Sequence, residues 1–207
     1  MRMTSVRPLR PPTPPEAPAL HVRAMDNLAF IRNTMEAAGS FTAVSGWGMV
    51  AVGALATVVA TVAERQPAAF GALQVWIASA VLLPIVMLVA IVQKARRAKM
   101  PLLSGPARKF VLSFSPPIVV GALLTLVMYR GGLIDAIPGM WLLLYGTAVV
   151  AGGAFSVQIV PVMGLCFMAA GVLALFSPVS WNQWIMGAAF GGLHIAFGIP
   201  IARRHGG

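Results

Sequence analysis

His194 is the residue in this sequence best placed to do chemistry, because it is the ionisable side chain inside a long apolar segment. Ionisable groups within hydrocarbon are costly and tend to mark functional positions. The preceding Gly191 and Gly192 would let a neighbouring helix or a flat ligand approach closely. A neutral imidazole at this position could relay protons, ligate haem iron or hydrogen-bond to another helix.

The simplest of these roles is structural. We predict a neutral His194 that is hydrogen-bonded to Gln158, Tyr145 or Thr125, with proton or ion handling and haem ligation as alternatives. No cofactor or metal site is predicted. Haem with two histidine ligands would need a second His194 from a symmetric dimer, because the other two histidines lie in the flanks of the apolar segments. Cys166, the single cysteine, is expected to be a small buried hydrophobe.

A pair of prolines, Pro116 and Pro117, lies within the third apolar segment. Because proline lacks an amide proton, the pair would leave backbone carbonyls free for a partner, a water or a cation. Broken helices of this kind occur at transporter binding sites. The pair therefore indicates either a helix break at a binding site or prolines that only start and pack a helix.

Basic residues account for the net charge of +10, and they collect at the edges of the apolar segments. A loop between the second and third segments is predicted to bind anionic lipid headgroups, each cation contributing about 1 kcal/mol near the surface. Its basic residues are Lys94, Arg96, Arg97, Lys99, Arg108 and Lys109. No folded nucleic-acid-binding module accompanies the charge, so no nucleic-acid partner is predicted.

Catalytic constellations are missing from the sequence. No acidic residue lies within an apolar segment, and Glu64 and Asp135 fall in different connecting loops, which gives a paired-carboxylate mechanism little support. Phosphate-binding glycine loops, zinc-ligand spacings and nucleophile elbows are also missing. We therefore predict a protein that is not an enzyme.

The apolar segments dominate the composition: 58% of the 207 residues are hydrophobic and 10% are charged. A soluble domain carries about a quarter charged residues, and a bilayer core of about 30 Å needs roughly 20 apolar residues per helix. We predict an all-α, multi-pass integral membrane protein with a six-helix transmembrane domain over 40–203. Its spans are predicted at about 41–62, 70–92, 110–129, 139–155, 157–176 and 183–202.

The fourth and fifth spans are separated by physical argument, because 137–178 contains no charged residue. A single helix of that length would be about twice as long as the hydrocarbon core is thick, so the chain must fold back. Six spans also put most basic residues on one side, against Arg65 and Arg130 on the other. The positive-inside rule then predicts a cell (inner) membrane protein with both termini in the cytoplasm.

The N-terminal flank is predicted to have two parts. Residues 1–22 are proline-rich and are expected to form a disordered cytoplasmic tail. Residues 23–39 are expected to form an amphipathic helix in the membrane interface, with a partner groove as the alternative. Its apolar stripe consists of Met25, Leu28, Ile31 and Met35. Residues 204–207 are predicted as a short cytoplasmic tail.

Small residues and aromatic residues recur in ways that bear on packing. Gly187, Gly191 and Gly198 give helix six a smooth side that suits close packing, either within the chain or in a homo-oligomer. Phenylalanine followed by a hydroxyl residue begins each odd helix, and a tryptophan lies near the start of each even helix, which would fit three similar hairpins. Interfacial tryptophan and small residues at helix contacts explain the same pattern without a repeat.

These observations favour a small multi-pass membrane protein with a structural, assembly or sensing role. Its expected partners are the lipid bilayer with its anionic headgroups and a second copy or another membrane protein. A transporter or channel for an ion or small solute, using Pro116, Pro117 and His194, is the first alternative. A haem-binding membrane subunit is the second.

Overall fold

The computed structural model describes residues 17–38, 44–99 and 104–205, and their regular elements are helices. The helices are α1 (Ala17–Ala38), α2 (Gly46–Glu64), α3 (Ala69–Arg97), α4 (Gly105–Arg130), α5 (Ile137–Gly153), α6 (Ile159–Phe176), α7 (Asn182–Met186) and α8 (His194–His205). Short 3-10 turns, Ile134–Ala136 and Val179–Trp181, precede α5 and α7. A π-helical segment, Gly187–Leu193, joins α7 to α8.

Six of these stretches are long and apolar enough to cross a membrane, as the sequence predicts. The fourth is α5 with its preceding turn, and the sixth, which we call the last span, covers Val179–Arg204. The chain folds back between Gly153 and Ile159, within a few residues of the predicted division. The last span departs from a plain α-helix because the π-helical segment interrupts it.

Helix α1 belongs to a separate compact unit, Met1–Ala38, and is described by itself. It begins at Ala17, so the last residues of the predicted disordered tail are helical; residues 1–16 lie outside the described part of the chain. Its apolar stripe is exposed along its length, from Met25 through Leu28 to Met35, which is 70% exposed. Its placement in the membrane interface stays a prediction.

The second unit is a helix bundle, and the backbones approach each other most closely within two pairs of helices. Helix α2 packs on the last span, and α5 packs on α6. A Cβ built on Gly53 of α2 would lie 2.7 Å from the carbonyl oxygen of Gly191, and one on Gly198 would lie 2.8 Å from that of Gly46. These contacts leave no room for a side chain, so glycine lets the two backbones meet.

Helices α5 and α6 meet in the same manner, at two reciprocal glycine pairs. A Cβ on Gly146 would lie 2.7 Å from the carbonyl oxygen of Gly164, and the reverse distance is also 2.7 Å. Gly139 and Gly171 face each other at 3.2 and 3.0 Å by the same measure. The glycines of each helix are seven residues apart, which keeps them on one face along an antiparallel pair.

Helices α3 and α4 are peripheral. Helix α3 packs on α2, and α4 packs on α5. Only 11% of the apolar window of α3 and 6% of that of α4 is buried, against 44% for α2. Direct contact between α3 and α4 includes a ring pair near the start of α3 and the end of α4, where the centroids of Phe70 and Tyr129 lie 5.5 Å apart.

The helices alternate in direction, so the bundle has two chemically different ends. One, which we call the basic end, brings together the start of α2 with the ends of α3 and α8 and the start of α4. Its exposed cations are Arg96, Arg97, Lys99, Arg108, Lys109, Arg203 and Arg204. The opposite end carries Glu64, Arg65, Arg130 and Asp135.

Candidate functional site

His194 begins α8, directly after the π-helical segment, and is 5% exposed. Its Nδ1 lies 2.8 Å from the carbonyl oxygen of Phe190, and its Nε2 lies 2.9 Å from the hydroxyl oxygen of Tyr145. A carbonyl only accepts, so Nδ1 carries the proton and Nε2 accepts the hydrogen bond from the Tyr145 hydroxyl. Both ring nitrogens of a neutral imidazole are therefore satisfied.

The backbone explains why the imidazole donates to Phe190. In a regular α-helix the amide of His194 would donate to the carbonyl four residues back, which belongs to Phe190. Here that amide donates to the Gly191 carbonyl, and the His194 side chain supplies a donor to Phe190 in its place. The π-helical segment and the histidine thus form one unit, a combination that often occurs at functional sites.

Aromatic rings surround this pair and form what we call the aromatic cluster: Tyr145, Phe167, Phe190 and His194. The Tyr145 ring lies 4.8 Å from the Phe167 ring and 4.9 Å from the Phe190 ring, centroid to centroid. The imidazole lies 5.4 Å from Phe167 and stacks on Phe190 at 6.1 Å. These are the separations at which aromatic pairs attract one another, so the centre of the bundle is held by rings from α5, α6 and the last span.

The peripheral helices reach the cluster through one aromatic residue each. Trp76 of α3 lies 5.8 Å from Phe190 and donates its indole N–H to Gln183 Oε1 at 2.8 Å. Phe114 of α4 makes an edge contact with Tyr145 at 6.0 Å. The cluster therefore links α3 and α4 to the core although neither is deeply buried.

Of the three predicted partners of His194, Tyr145 is the one that bonds to it. Thr125 accepts the indole N–H of Trp141 at 2.8 Å and donates to the Gly121 carbonyl at 2.8 Å. Gln158 lies between α5 and α6 and is exposed. The three polar residues therefore serve separate places in the bundle.

The cluster does not fit a haem. Nε2 of His194 is engaged by Tyr145, and the rings of Phe167 and Phe190 close on the imidazole. A second His194 from another copy could not reach it either, because this side chain is buried inside its own bundle.

Of the two alternatives for Pro116 and Pro117, the structure does not show the helix break. Helix α4 runs without interruption from Gly105 to Arg130 and contains both prolines. Proline fixes φ near −65°, which is compatible with a helix. Each proline lacks the amide proton that would bond to the carbonyl four residues before it, here those of Leu112 and Ser113. The proline pair therefore leaves two carbonyls without their usual donor but opens no gap in the helix.

One of the six cations predicted to meet lipid headgroups is placed differently from the others. Lys94 is 9% exposed, and its Nζ donates to the Val44 carbonyl oxygen at 2.9 Å. It thus ties the end of α3 to the residue before Ser45, whose hydroxyl caps α2 by accepting the Gly48 amide. The other five are exposed, and Lys109 also lies 5.9 Å from the centre of the Phe155 ring.

The packing glycines of the last span face α2 within the same chain. Gly191 and Gly198 meet the backbone of α2, and a Cβ on Gly187 would lie 2.9 Å from that of Ala60. This resolves whether the smooth side of the helix serves internal or intermolecular packing: these three positions are occupied internally.

Sequence reasoning missed two buried features. The sequence shows Phe190 one helical turn before His194. It does not show that the His194 side chain bonds to the Phe190 carbonyl, because that depends on the π-helical segment. Asn182 is 4% exposed and donates to the Asp135 carbonyl at 2.8 Å, while its Oδ1 has no hydrogen-bond partner among the described residues. The sequence held no signal that distinguished this asparagine from a loop residue.

Within the described ranges, His, Cys, Asp and Glu side chains form no group of three that could hold a metal ion. Comparison of the chain with protein-family models, with curated proteins and with solved structures found no match. The described chain is thus an all-helical bundle with six helices that are long and apolar enough to cross a membrane.

Proposed function

We propose that the protein is a multi-pass membrane protein of the cell (inner) membrane that anchors its N-terminal helix α1 at the cytoplasmic face, in a structural, assembly or sensing role. Six apolar helices support the membrane placement. The cations gathered at the basic end of the bundle support an orientation with this end in the cytoplasm, because basic residues are retained on that side.

The observation that carries this proposal is the closed centre of the bundle. His194, the ionisable side chain buried there, has both ring nitrogens engaged and rings packed around it. A carrier site or pore needs polar groups that are open to a solute. A core that is complete in itself favours an anchoring role instead.

The apolar stripe of α1 is the surface that such an anchor would present. Its four residues, Met25, Leu28, Ile31 and Met35, are each more than half exposed. Burying this stripe against a partner or in the lipid interface would stabilise the complex by about 25 cal/mol per Å² of apolar area removed from water.

The start of α2 is held by a side chain of α3. Residues 39–43 connect α1 to Val44, which Lys94 holds in place. Further along α2, Gly53 and Thr57 pack on Gly191 in the π-helical segment. These contacts fix α2 within the bundle, which supports a structural role.

Photo-crosslinking in living cells tests the anchoring role. A photoreactive residue at Leu28, on the apolar stripe, should give discrete adducts, whereas one at Asn27, which is also exposed but polar, should give far fewer. A chain that lacks residues 1–38 should insert normally and fail to replace the full-length protein in a deletion strain. Full replacement by the truncated chain would rule the role out.

Transport of a proton or small ion is the second candidate, supported by the buried His194 beside a π-helical segment. In proteoliposomes loaded with a pH-sensitive dye, the wild-type protein should then give flux that His194→Ala abolishes. Wild-type vesicles that hold a pH gradient as well as empty ones would reject transport of protons.

A further inference from the structure

The basic end of the bundle carries its cations on two helices that are neighbours in the chain. Arg96 and Arg97 end α3 and are followed by Lys99, while Arg108 and Lys109 are the fourth and fifth residues of α4. All five are exposed. The acidic residues described in the bundle, Glu64 and Asp135, lie at the opposite end, so they do not compensate this charge.

Helix packing does little to hold α3 and α4 together. Each packs on a different inner helix, α3 on α2 and α4 on α5. The Phe70–Tyr129 ring contact joins them at the opposite end. Like charges on two loosely joined helices repel, and an anion that contacted both helices would relieve this repulsion.

Exposed aliphatic side chains lie close to the cations on both helices. Leu88 on α3, two turns before Arg96, is 59% exposed, and Val111 on α4, one turn after Arg108, is also 59% exposed. Each helix therefore offers positive charge at its end and a bare apolar surface immediately deeper in the bundle. An anionic phospholipid has the matching order, with a charged headgroup at the surface and apolar acyl chains below it.

We propose that the end of α3 and the start of α4 together bind an anionic phospholipid of the surrounding bilayer. Its phosphate meets cations from both helices, and its acyl chains cover the aliphatic side chains beside them. The inference rests on the proposed placement in a membrane, and it gives these five cations a ligand beyond their effect on topology. Lys94, which is bonded to Val44, does not belong to the site.

Each cation near a membrane surface contributes about fivefold to binding of an anionic lipid, which corresponds to about 1 kcal/mol. Removing one cation from each helix should therefore weaken binding about 25-fold. Binding should also fall as salt is raised, because these charges are exposed and are screened by ions.

The test uses the full-length protein in nanodiscs of phosphatidylcholine, with and without added phosphatidylglycerol. Native mass spectrometry should find phosphatidylglycerol retained on the wild-type protein in preference to phosphatidylcholine, and the added lipid should raise the Tm. The variant Arg97→Gln/Arg108→Gln should lose both effects. The control Arg65→Gln/Arg130→Gln, which removes the same charge from the opposite end, should keep them.

Three results would overturn the inference: no preference for phosphatidylglycerol in the wild type, equal loss in the control variant, or equal stabilisation by inorganic phosphate alone. A protein that enters the nanodiscs and shows no lipid preference would leave the proposed function standing. A protein that enters neither kind of nanodisc would overturn the proposed function and this inference together.

Discussion

The hydroxyl oxygen of Tyr145 on α5 and Nε2 of His194 on the last span lie 2.9 Å apart. This hydrogen bond joins the two glycine-packed helix pairs, because α5 is paired with α6 and the last span is paired with α2. The bond therefore connects two halves of the core, which aromatic rings and the hydrogen bond from Asn182 to the Asp135 carbonyl also join.

Tyr145→Phe should destabilise the protein by about 1–2 kcal/mol, because the buried Nε2 of His194 loses its donor while the ring contacts remain. Unfolding in mixed micelles, followed by circular dichroism, would measure the change. Tyr129→Phe removes an exposed hydroxyl and is the matched control, with an expected change near zero. Equal effects of the two variants would contradict the hydrogen bond.

Gly191→Ala should destabilise the protein by about 1–3 kcal/mol, since its methyl group would collide with Thr57 Oγ1. Gly192→Ala makes the same change one residue later, where a Cβ meets nothing within 4 Å. This control should be neutral or slightly stabilising, because alanine favours a helix over glycine. The Tm of each variant measures the effect. A lower Tm for Gly192→Ala than for Gly191→Ala would contradict the packing.

Lys94→Met should loosen the start of α2, because the Val44 carbonyl loses a charged donor worth about 1.5–3 kcal/mol. Amide hydrogen exchange should speed up in the first turn of α2 and stay unchanged around His194. Arg97→Met, three residues later and exposed, provides the control. Unchanged exchange near Val44 in the Lys94 variant would show that the bond does not hold this end.

Reporter fusions test the proposed orientation. A fluorescent protein that matures only in the cytoplasm should be bright when fused after Gly207 and also when placed before Met1. A phosphatase that is active only outside the cytoplasm should be active when inserted at Gly132, in the loop after α4. Phosphatase activity from a fusion after Gly207 would place the C-terminus outside the cytoplasm and would contradict the predicted topology.

The sequence predicts the helices well because hydropathy and length alone decide which segments can cross a membrane. Even the division of 137–178 follows from bilayer thickness, and the observed break lies between Gly153 and Ile159. Tyr145 was within reach as one of three polar partners for His194. These predictions rest on local composition and on one-dimensional spacing.

Other features depend on three-dimensional neighbours and were beyond the sequence. In the sequence, Lys94 is indistinguishable from the other cations of the loop. Its proximity to Val44 in the fold makes it a buried hydrogen-bond donor. Pro116 and Pro117 suggest a break, but a helix with α5 packed beside it tolerates the missing amides. The three hairpins are also unequal: Trp76 and Trp141 donate hydrogen bonds within the bundle, whereas Trp184 is 67% exposed.

The paired glycines have a consequence for recognising relatives of this chain. Close backbone approach imposes a Gly-x6-Gly period on four helices, as in Gly46 to Gly53, Gly139 to Gly146, Gly164 to Gly171 and Gly191 to Gly198. The exposed apolar positions of α3 and α4 carry no such restriction and are free to vary among apolar residues. A distant homologue should therefore be identifiable by this glycine spacing in two helix pairs, α2 with the last span and α5 with α6. The spacing should persist even where overall sequence identity is low.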